Sequence, residues 1–176
     1  MAEPITVLVV DDSAFMRKML TQMLEQDKRV KVAGVAHDGL EAVQLVEKLK
    51  PDVVTMDVEM PGMNGLDALR RIMSTRPTPV IMVSSLTDQG AKTTLEALAC
   101  GAVDYLPKQL DGVAMNITTI REELLSKVVA AAGTGAKLAK IALSQGVPPS
   151  GTAKSTPGTV TISSASVNNR GSKIIA

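Results

Sequence analysis

Five polar residues of this sequence fall where short apolar runs end. Val7 to Val10 run straight into Asp11 and Asp12, and "DVVTMD" closes on Asp57. "PVIMVSS" reaches Ser84 near its end, and Lys108 follows "VDYLP". If the first and third runs are neighbouring strands, three carboxylates meet at one edge of a sheet. Like charges that close raise each other's pKa and oppose folding. A cation is the usual remedy, and three oxygens with room for water suit Mg2+, a hard ion that keeps part of its hydration shell. A carboxylate in such a site can attack phosphorus and form an aspartyl phosphate. The metal and Lys108 would neutralise charge on the transferring group, and the Ser84 hydroxyl could donate to one of its oxygens. Asp57 is the best nucleophile, because it stands alone on its strand end. The loop after it, "VEMPGMNG", is rich in turn residues that can open around it. An acid pair at one strand end more often just begins a turn. Asp57, Ser84 and Lys108 in equivalent places are what favour a site.

Such a constellation needs a scaffold that brings strand ends together. "TVLVV", "VKVAGVA", "DVVTMD", "PVIMVSS" and "VDYLP" read as five buried strands. Amphipathic segments alternate with them. Met16, Met19, Leu20, Met23 and Leu24 keep to one helical face, with Ser13 placed as the N-cap. Ala42, Val43, Val46 and Leu49 mark a second helix, with Pro51 after its end, and Leu66, Leu69 and Met73 a third. Leu95, Leu98 and Ala99 sit in a fourth, closed by Gly101, and Ile117, Ile120, Leu124 and Val128 mark a fifth. The repeated β-α order predicts an α/β fold, a parallel sheet with helices on both faces. Ligands in such sheets bind at the carboxyl ends of the strands, where the acids, hydroxyl and amine stand.

Composition narrows the function classes. Nineteen basic and eighteen acidic residues leave a net charge of +1, which gives no electrostatic footprint for nucleic acid or an anionic membrane. No apolar run approaches the roughly 18 residues of a membrane span, and the N-terminus lacks the basic start of a signal peptide. The single cysteine, Cys100, excludes an internal disulfide and suits a cytoplasmic setting; it reads as a small core residue at a helix end. With Phe15 and Tyr105 the only aromatics, the core must be aliphatic, with methionines filling gaps. The one histidine, His37, reads as a surface residue.

The organisation changes after Lys127. "VVAAAGTGAKLAKIALSQG" is Ala-rich and extends a helix, with a break expected near Gly133 and Gly135. "VPPSGTAKSTPGTVTISSASVNNRGS" has no period and reads as a flexible linker. The closing "KIIA" looks like the start of another strand. The expected division is a domain over 5–127, a linker over 128–170, and the beginning of a further domain at 171–176.

"VDDS", "MDVEMPGMNGLD", "VSS" and "GAVDYLPK" together resemble the receiver domains of two-component response regulators, over Thr6 to about Lys127. The resemblance implies the flavodoxin-like sheet of order 2-1-3-4-5. It implies that Asp57 is the phosphoacceptor, that Asp12 and Asp57 bind Mg2+ directly, and that Asp11 reaches the metal through water. Glu59 matches the position whose backbone carbonyl also binds the metal. Ser84 matches the switch hydroxyl, Tyr105 the switch aromatic and Lys108 the phosphate-contacting lysine. Receivers usually have Lys-Pro where this chain has Lys108-Gln109, often with a cis bond. More narrowly, "VSSLT" and "GAVDYLPK" look like the receiver half of chemotaxis protein-glutamate methylesterases. In that family a linker and then a catalytic G-x-S-T-G-G motif follow; "RGSKIIA" resembles the strand before that motif, which itself is absent from this sequence. The implied partners are a histidine kinase as phosphodonor, a C-terminal methylesterase domain, and chemoreceptors acted on by the full-length protein. This chain alone lacks the methylesterase residues.

Three other readings compete. An Asp-nucleophile phosphatase of the haloacid-dehalogenase type would use Asp57 and Glu59, but it does not require Asp11-Asp12 or "EMPGMNG". A dinucleotide-binding module needs a Gly-rich turn after the first strand, where Asp-Asp-Ser would repel a pyrophosphate. A stand-alone receiver acting by protein docking shares every residue of the site, and only the linker and "KIIA" argue against it.

Overall fold

The computed structural model describes residues 2–85, 88–108 and 117–144. Among these, strands and helices alternate: β1 (Ile5–Val10), α1 (Ala14–Glu25), β2 (Val30–Ala36), α2 (Gly39–Leu49), β3 (Val53–Asp57), α3 (Gly65–Thr75), β4 (Val80–Ser85), α4 (Asp88–Ala99), β5 (Asp104–Lys108) and α5 (Ile117–Ser144). All strand pairs are parallel, in the order β2-β1-β3-β4-β5, as expected for a flavodoxin-like sheet.

The period of two along each strand builds two cores. Leu8, Val10, Val54, Met56, Val80 and Met82 face one way and pack with Val46, Leu69 and Ile72 of α2 and α3. Val7, Val9, Val53, Ile81 and Val83 face the other way and pack with Leu20 and Leu24 of α1 and Leu124 and Val128 of α5. Because both faces are covered, the central strands are apolar at nearly every position. Met16, Met23, Met56, Met60 and Met82 are buried, so methionine does fill gaps in this aliphatic core.

Capping fixes where the helices start. The side chains of Ser13, Asp38 and Asn64 accept from the backbone N–H of Met16, Glu41 and Asp67, satisfying first-turn donors that lack intrahelical partners. Glu41 in turn accepts from the N–H of His37. His37 is exposed, with its imidazole 3.2 Å from an Asp38 carboxylate oxygen and beside that of Glu41. Asp38→Ala is expected to destabilise the domain by about 1 kcal/mol in thermal or denaturant unfolding, the usual loss for an N-cap. At the other end of α4, Gly101 takes φ 107°, and the N–H groups of Gly101 and Ala102 return to the carbonyls of Leu98 and Ala97. That is the Schellman closure a glycine at this position permits.

Two helices depart from expectation. Among the described side chains of α4 the buried one is Ala97, while Leu95 and Leu98 are 70% and 45% exposed. Leucine spacing therefore located the helix but not its inward face; Cys100, just past its end, is half-buried against the core. Helix α5 runs through Gly133 and Gly135 without the expected break. A Cβ at Gly135 would lie 2.9 Å from Pro79 Cγ, so glycine there permits close approach to the start of β4. Of the linker expected over 128–170, residues 128–144 are helical in α5; its remainder, the segment 171–176 and the Lys108-Gln109 bond lie outside the described residues.

Candidate functional site

Register brings the polar strand ends level. Val10 pairs with Met56, Asp57 with Val83, Ser84 with Pro107 and Ser85 with Lys108. The residues at and just beyond those pairs, Asp11, Asp12, Asp57, Ser84 and Lys108, therefore rise together at one edge of the sheet.

Asp11, Asp12 and Asp57 each present a carboxylate oxygen within 4.8 Å of the others. Their environments differ. Asp11 is fully buried and Asp57 nearly so, whereas Asp12 is exposed. Asp11 Oδ1 accepts from the N–H of Ser13 at 2.9 Å, closing a tight turn into α1. Asp57 Oδ1 accepts from the N–H of Glu59 at 3.3 Å. The other oxygens of Asp11 and Asp57 meet Lys108, whose Nζ lies 2.7 Å and 2.9 Å from them. Sequence reasoning assigned Lys108 to a phosphoryl group. Here it bridges the two buried aspartates and supplies part of the charge compensation first ascribed to a metal alone. Asp11 Oδ2 is buried, and among the described residues the Lys108 ammonium is the group that compensates it.

Burial pushes the Asp57 carboxyl up to about 6, and the charge of Asp11 adds to the rise. Lys108 and the Glu59 N–H pull the other way without cancelling it. Burial would lower the pKa of Lys108, but its contacts with Asp11 and Asp57 more than offset this, and the net shift is upward. The site thus holds a proton-hungry carboxylate beside an ammonium that stays charged.

Ser84 is buried at the end of β4, and its carbonyl accepts from the Tyr105 hydroxyl at 3.3 Å. Tyr105 is half-buried. Behind it, Asp104 Oδ1 accepts from the Tyr105 N–H at 2.8 Å and from Lys127 Nζ of α5 at 2.9 Å. A hydrogen-bonded path therefore leads from the end of β4 through Tyr105 to α5. Beside Asp12 opens a cleft of about 510 Å³, lined by Glu59, Met60, Pro61, Asn64 and Thr93 among others.

Two residues of this environment were not singled out from the sequence. Gly65, the first residue of α3, donates its N–H to the Val58 carbonyl at 2.9 Å. A Cβ there would lie 2.0 Å from the Asp57 carbonyl oxygen, so only glycine lets α3 begin against the end of β3. The "PGMNG" string carried that signal, but it also reads as simple turn chemistry. Arg17, on α1, reaches back to the carbonyls of Asp11 and Asp12. Nothing in its spacing distinguishes it from an ordinary exposed helix cation.

The comparisons with known proteins agree with this geometry. The model of the response regulator receiver domain matches residues 7–138. A protein-glutamate methylesterase/protein-glutamine glutaminase of Pyrococcus horikoshii is 52% identical over 132 residues, which is 75% of this chain and 36% of that protein. One from Nitratidesulfovibrio vulgaris is 55% identical over 124 residues, 70% of this chain and 34% of that protein. The chain thus spans about a third of the length of these relatives. Among solved structures, the response regulator domain of Thermotoga maritima CheB is matched with a TM-score of 0.68 and 50% identity, over 74% of this chain and 98% of that one. The CheX-CheY-BeF3-Mg2+ complex of Borrelia burgdorferi is matched with a TM-score of 0.61 and 33% identity, over 73% of this chain and 89% of that one. The four motifs, the strand order and the converging aspartates all carry one signature, and the chain belongs to the response regulator receiver family, with a receiver domain of the CheB type.

Proposed function

We propose that Asp57 is a phosphoacceptor that takes a phosphoryl group from a phosphohistidine of a chemotaxis histidine kinase. The observation that carries this reading is the convergence of Asp11, Asp12 and Asp57 with Lys108 at one edge of the sheet. An oxygen of Asp57 attacks phosphorus, the P–N bond of the donor breaks, and the departing imidazole takes up a proton. Lys108 is released from Asp57 when that carboxylate becomes an acyl phosphate, and its ammonium then faces the phosphoryl oxygens. The Ser84 hydroxyl is the group on β4 to donate to one of those oxygens. Through the Ser84 carbonyl and the Tyr105 hydroxyl, a shift at the end of β4 biases β5 and α5 between two arrangements.

The donor set fits Mg2+. All three side chains offer hard oxygens within 4.8 Å of one another, two of them on buried residues. Asp11, Asp12 and Asp57 would hold the ion, with the backbone carbonyl of Glu59 as a further ligand. Mg2+ supplies charge neutralisation at the transferring phosphoryl group. The related Borrelia assembly is a complex with BeF3 and Mg2+, which supports this assignment.

In the intact protein the receiver would control a C-terminal methylesterase or deamidase domain acting on cytoplasmic regions of chemoreceptors. Support comes from relatives that carry that activity in their names and in which the matched region makes up only about a third of the length. The domain reading is tested by exposing the chain to a small acyl phosphate with Mg2+ and measuring intact mass. One phosphoryl group per chain, retained rather than turned over, is expected. It is lost in Asp57→Asn and on chelation of Mg2+. Normal phosphorylation of Asp57→Asn would overturn the acceptor assignment, and repeated hydrolysis of phosphate esters would favour a phosphatase instead.

A further inference from the structure

The aspartate pair just after β1 sits on two peptide groups that the sheet does not fully hold. Beyond Val10 the strand ends, and the Asp11 N–H still bonds the Ala36 carbonyl of β2 at 3.1 Å. The carbonyls of Asp11 and Asp12 turn instead toward α1. A single guanidinium nitrogen of Arg17, Nη1, donates to both, at 2.7 Å to Asp11 and 3.2 Å to Asp12. Asp11 is fully buried, so this donor is what keeps its carbonyl satisfied within a water-poor site. The backbone N–H of Arg17 bonds the Ser13 carbonyl, and the Ser13 N–H bonds Asp11 Oδ1. Arg17 therefore closes a loop of contacts around the turn from which both carboxylates project.

We infer that Arg17 is a positioning residue for divalent-cation binding: by gripping the two carbonyls it fixes the direction of the Asp11 and Asp12 carboxylates before any ion arrives. This rests on the Mg2+ reading proposed above. Two effects of Arg17 on a cation oppose each other. Its positive charge repels Mg2+, whereas its grip preorganises the ligands. Of the two, the grip dominates. Groups that hold metal ligands from behind commonly change affinity by roughly 10-fold to 100-fold when removed.

The test compares Arg17→Met, Arg17→Lys and Asp38→Ala with the unaltered chain. Mg2+ affinity is read by calorimetric titration, at a temperature where circular dichroism finds every variant folded. Arg17→Met is expected to weaken Mg2+ binding about 10-fold although it removes a repelling charge. Arg17→Lys, which keeps the charge but not the planar fork, should lie between it and the unaltered chain. Asp38→Ala loses a helix cap on a different element and should bind Mg2+ as the unaltered chain does. Equal or tighter binding by Arg17→Met overturns the inference, since its role is then bracing alone or its charge outweighs its grip. The same holds if Asp38→Ala weakens binding as much as Arg17→Met, because any loss of stability would then suffice. Absence of Mg2+ binding by the unaltered chain would defeat the metal reading itself, and the inference with it.

Discussion

Asp57→Asn is expected to stabilise the metal-free domain at neutral pH by about 2–3 kcal/mol while abolishing phosphoryl uptake. The stability gain follows from the raised carboxyl of Asp57, at about 6 against an ordinary value of 3.8. Every tenfold change in proton affinity corresponds to about 1.4 kcal/mol of differential interaction between the two protonation states. A folded-state pKa above the unfolded one means that the folded chain binds this proton more tightly. The favourable contribution is complete in acid, below the unfolded pKa, and disappears as pH rises through about 6. At neutral pH the folded domain therefore carries a buried charge that the unfolded chain would rather solvate. Asparagine has nearly the same shape and no charge to bury. The gain should be near its full value at neutral pH and should vanish toward about pH 4, where Asp57 is protonated in the folded state. Urea unfolding across that range checks it. Equal stability of the two proteins at neutral pH, or a gain independent of pH, would show that the Asp57 charge is well compensated in the folded domain. Added Mg2+ should narrow the gap from the other side, because an ion bound to the native state stabilises the unaltered protein by mass action. Stability is given up here at the atom proposed to react, as is common where function requires a destabilised group.

Much of this site was legible because strand ends announce themselves. Apolar runs of period two fix which residues lie inside, and the first polar residue after each run must stand at the sheet edge. That logic located Asp11, Asp12, Asp57, Ser84 and Lys108 before any contact was known. It could not divide labour among them. Asp11 and Asp12 are adjacent, yet one is fully buried and the other exposed, since consecutive residues leaving a strand point in opposite directions. Nor could it place Lys108 between two carboxylates, because that contact depends on how far β5 climbs past β4, which the register of Ser85 and Lys108 sets. The helices follow the same division. Periodicity found α1, α2 and α3 with their buried faces. On α4 the leucines proved to be exposed and a small alanine inward-facing, a choice of face that leucine spacing alone does not make. Gly133 and Gly135 looked like a break, but the intrinsic preference of glycine against helix is only about 1 kcal/mol, and a helix continuing from a buried face overrides it. Arg17 was invisible for a further reason. Its function lies in its reach to backbone carbonyls, which no pattern of side-chain types records.

Lys108→Met should produce the largest loss of stability among site substitutions, about 3 kcal/mol at neutral pH without divalent ions. The ammonium lies 2.7 Å from a fully buried carboxylate and 2.9 Å from a nearly buried one. Removing one partner of a buried ion pair leaves uncompensated charge and typically costs about 3–5 kcal/mol. The lower end applies because Asp57 can respond by taking up a proton, which caps the penalty. Two rescues then distinguish this electrostatic account from simple loss of packing. Acid should restore much of the lost stability, because protonating the aspartates removes the charges that Lys108 had balanced. Saturating Mg2+ should restore part of it at neutral pH, by placing positive charge among the same oxygens. A third comparison isolates the pair itself. In an Asp57→Asn background Lys108→Met should be milder by about 1–2 kcal/mol, within the range of coupling seen for residues in contact. Methionine keeps the length and apolar stem of lysine, so packing alone would predict equal losses in both backgrounds, at every pH and with or without the ion. If the losses are equal, the ammonium is not what holds the aspartates together. If they differ as expected, one lysine stabilises the resting site and, on the proposed mechanism, is set free for the phosphoryl group by the same event that phosphorylates Asp57.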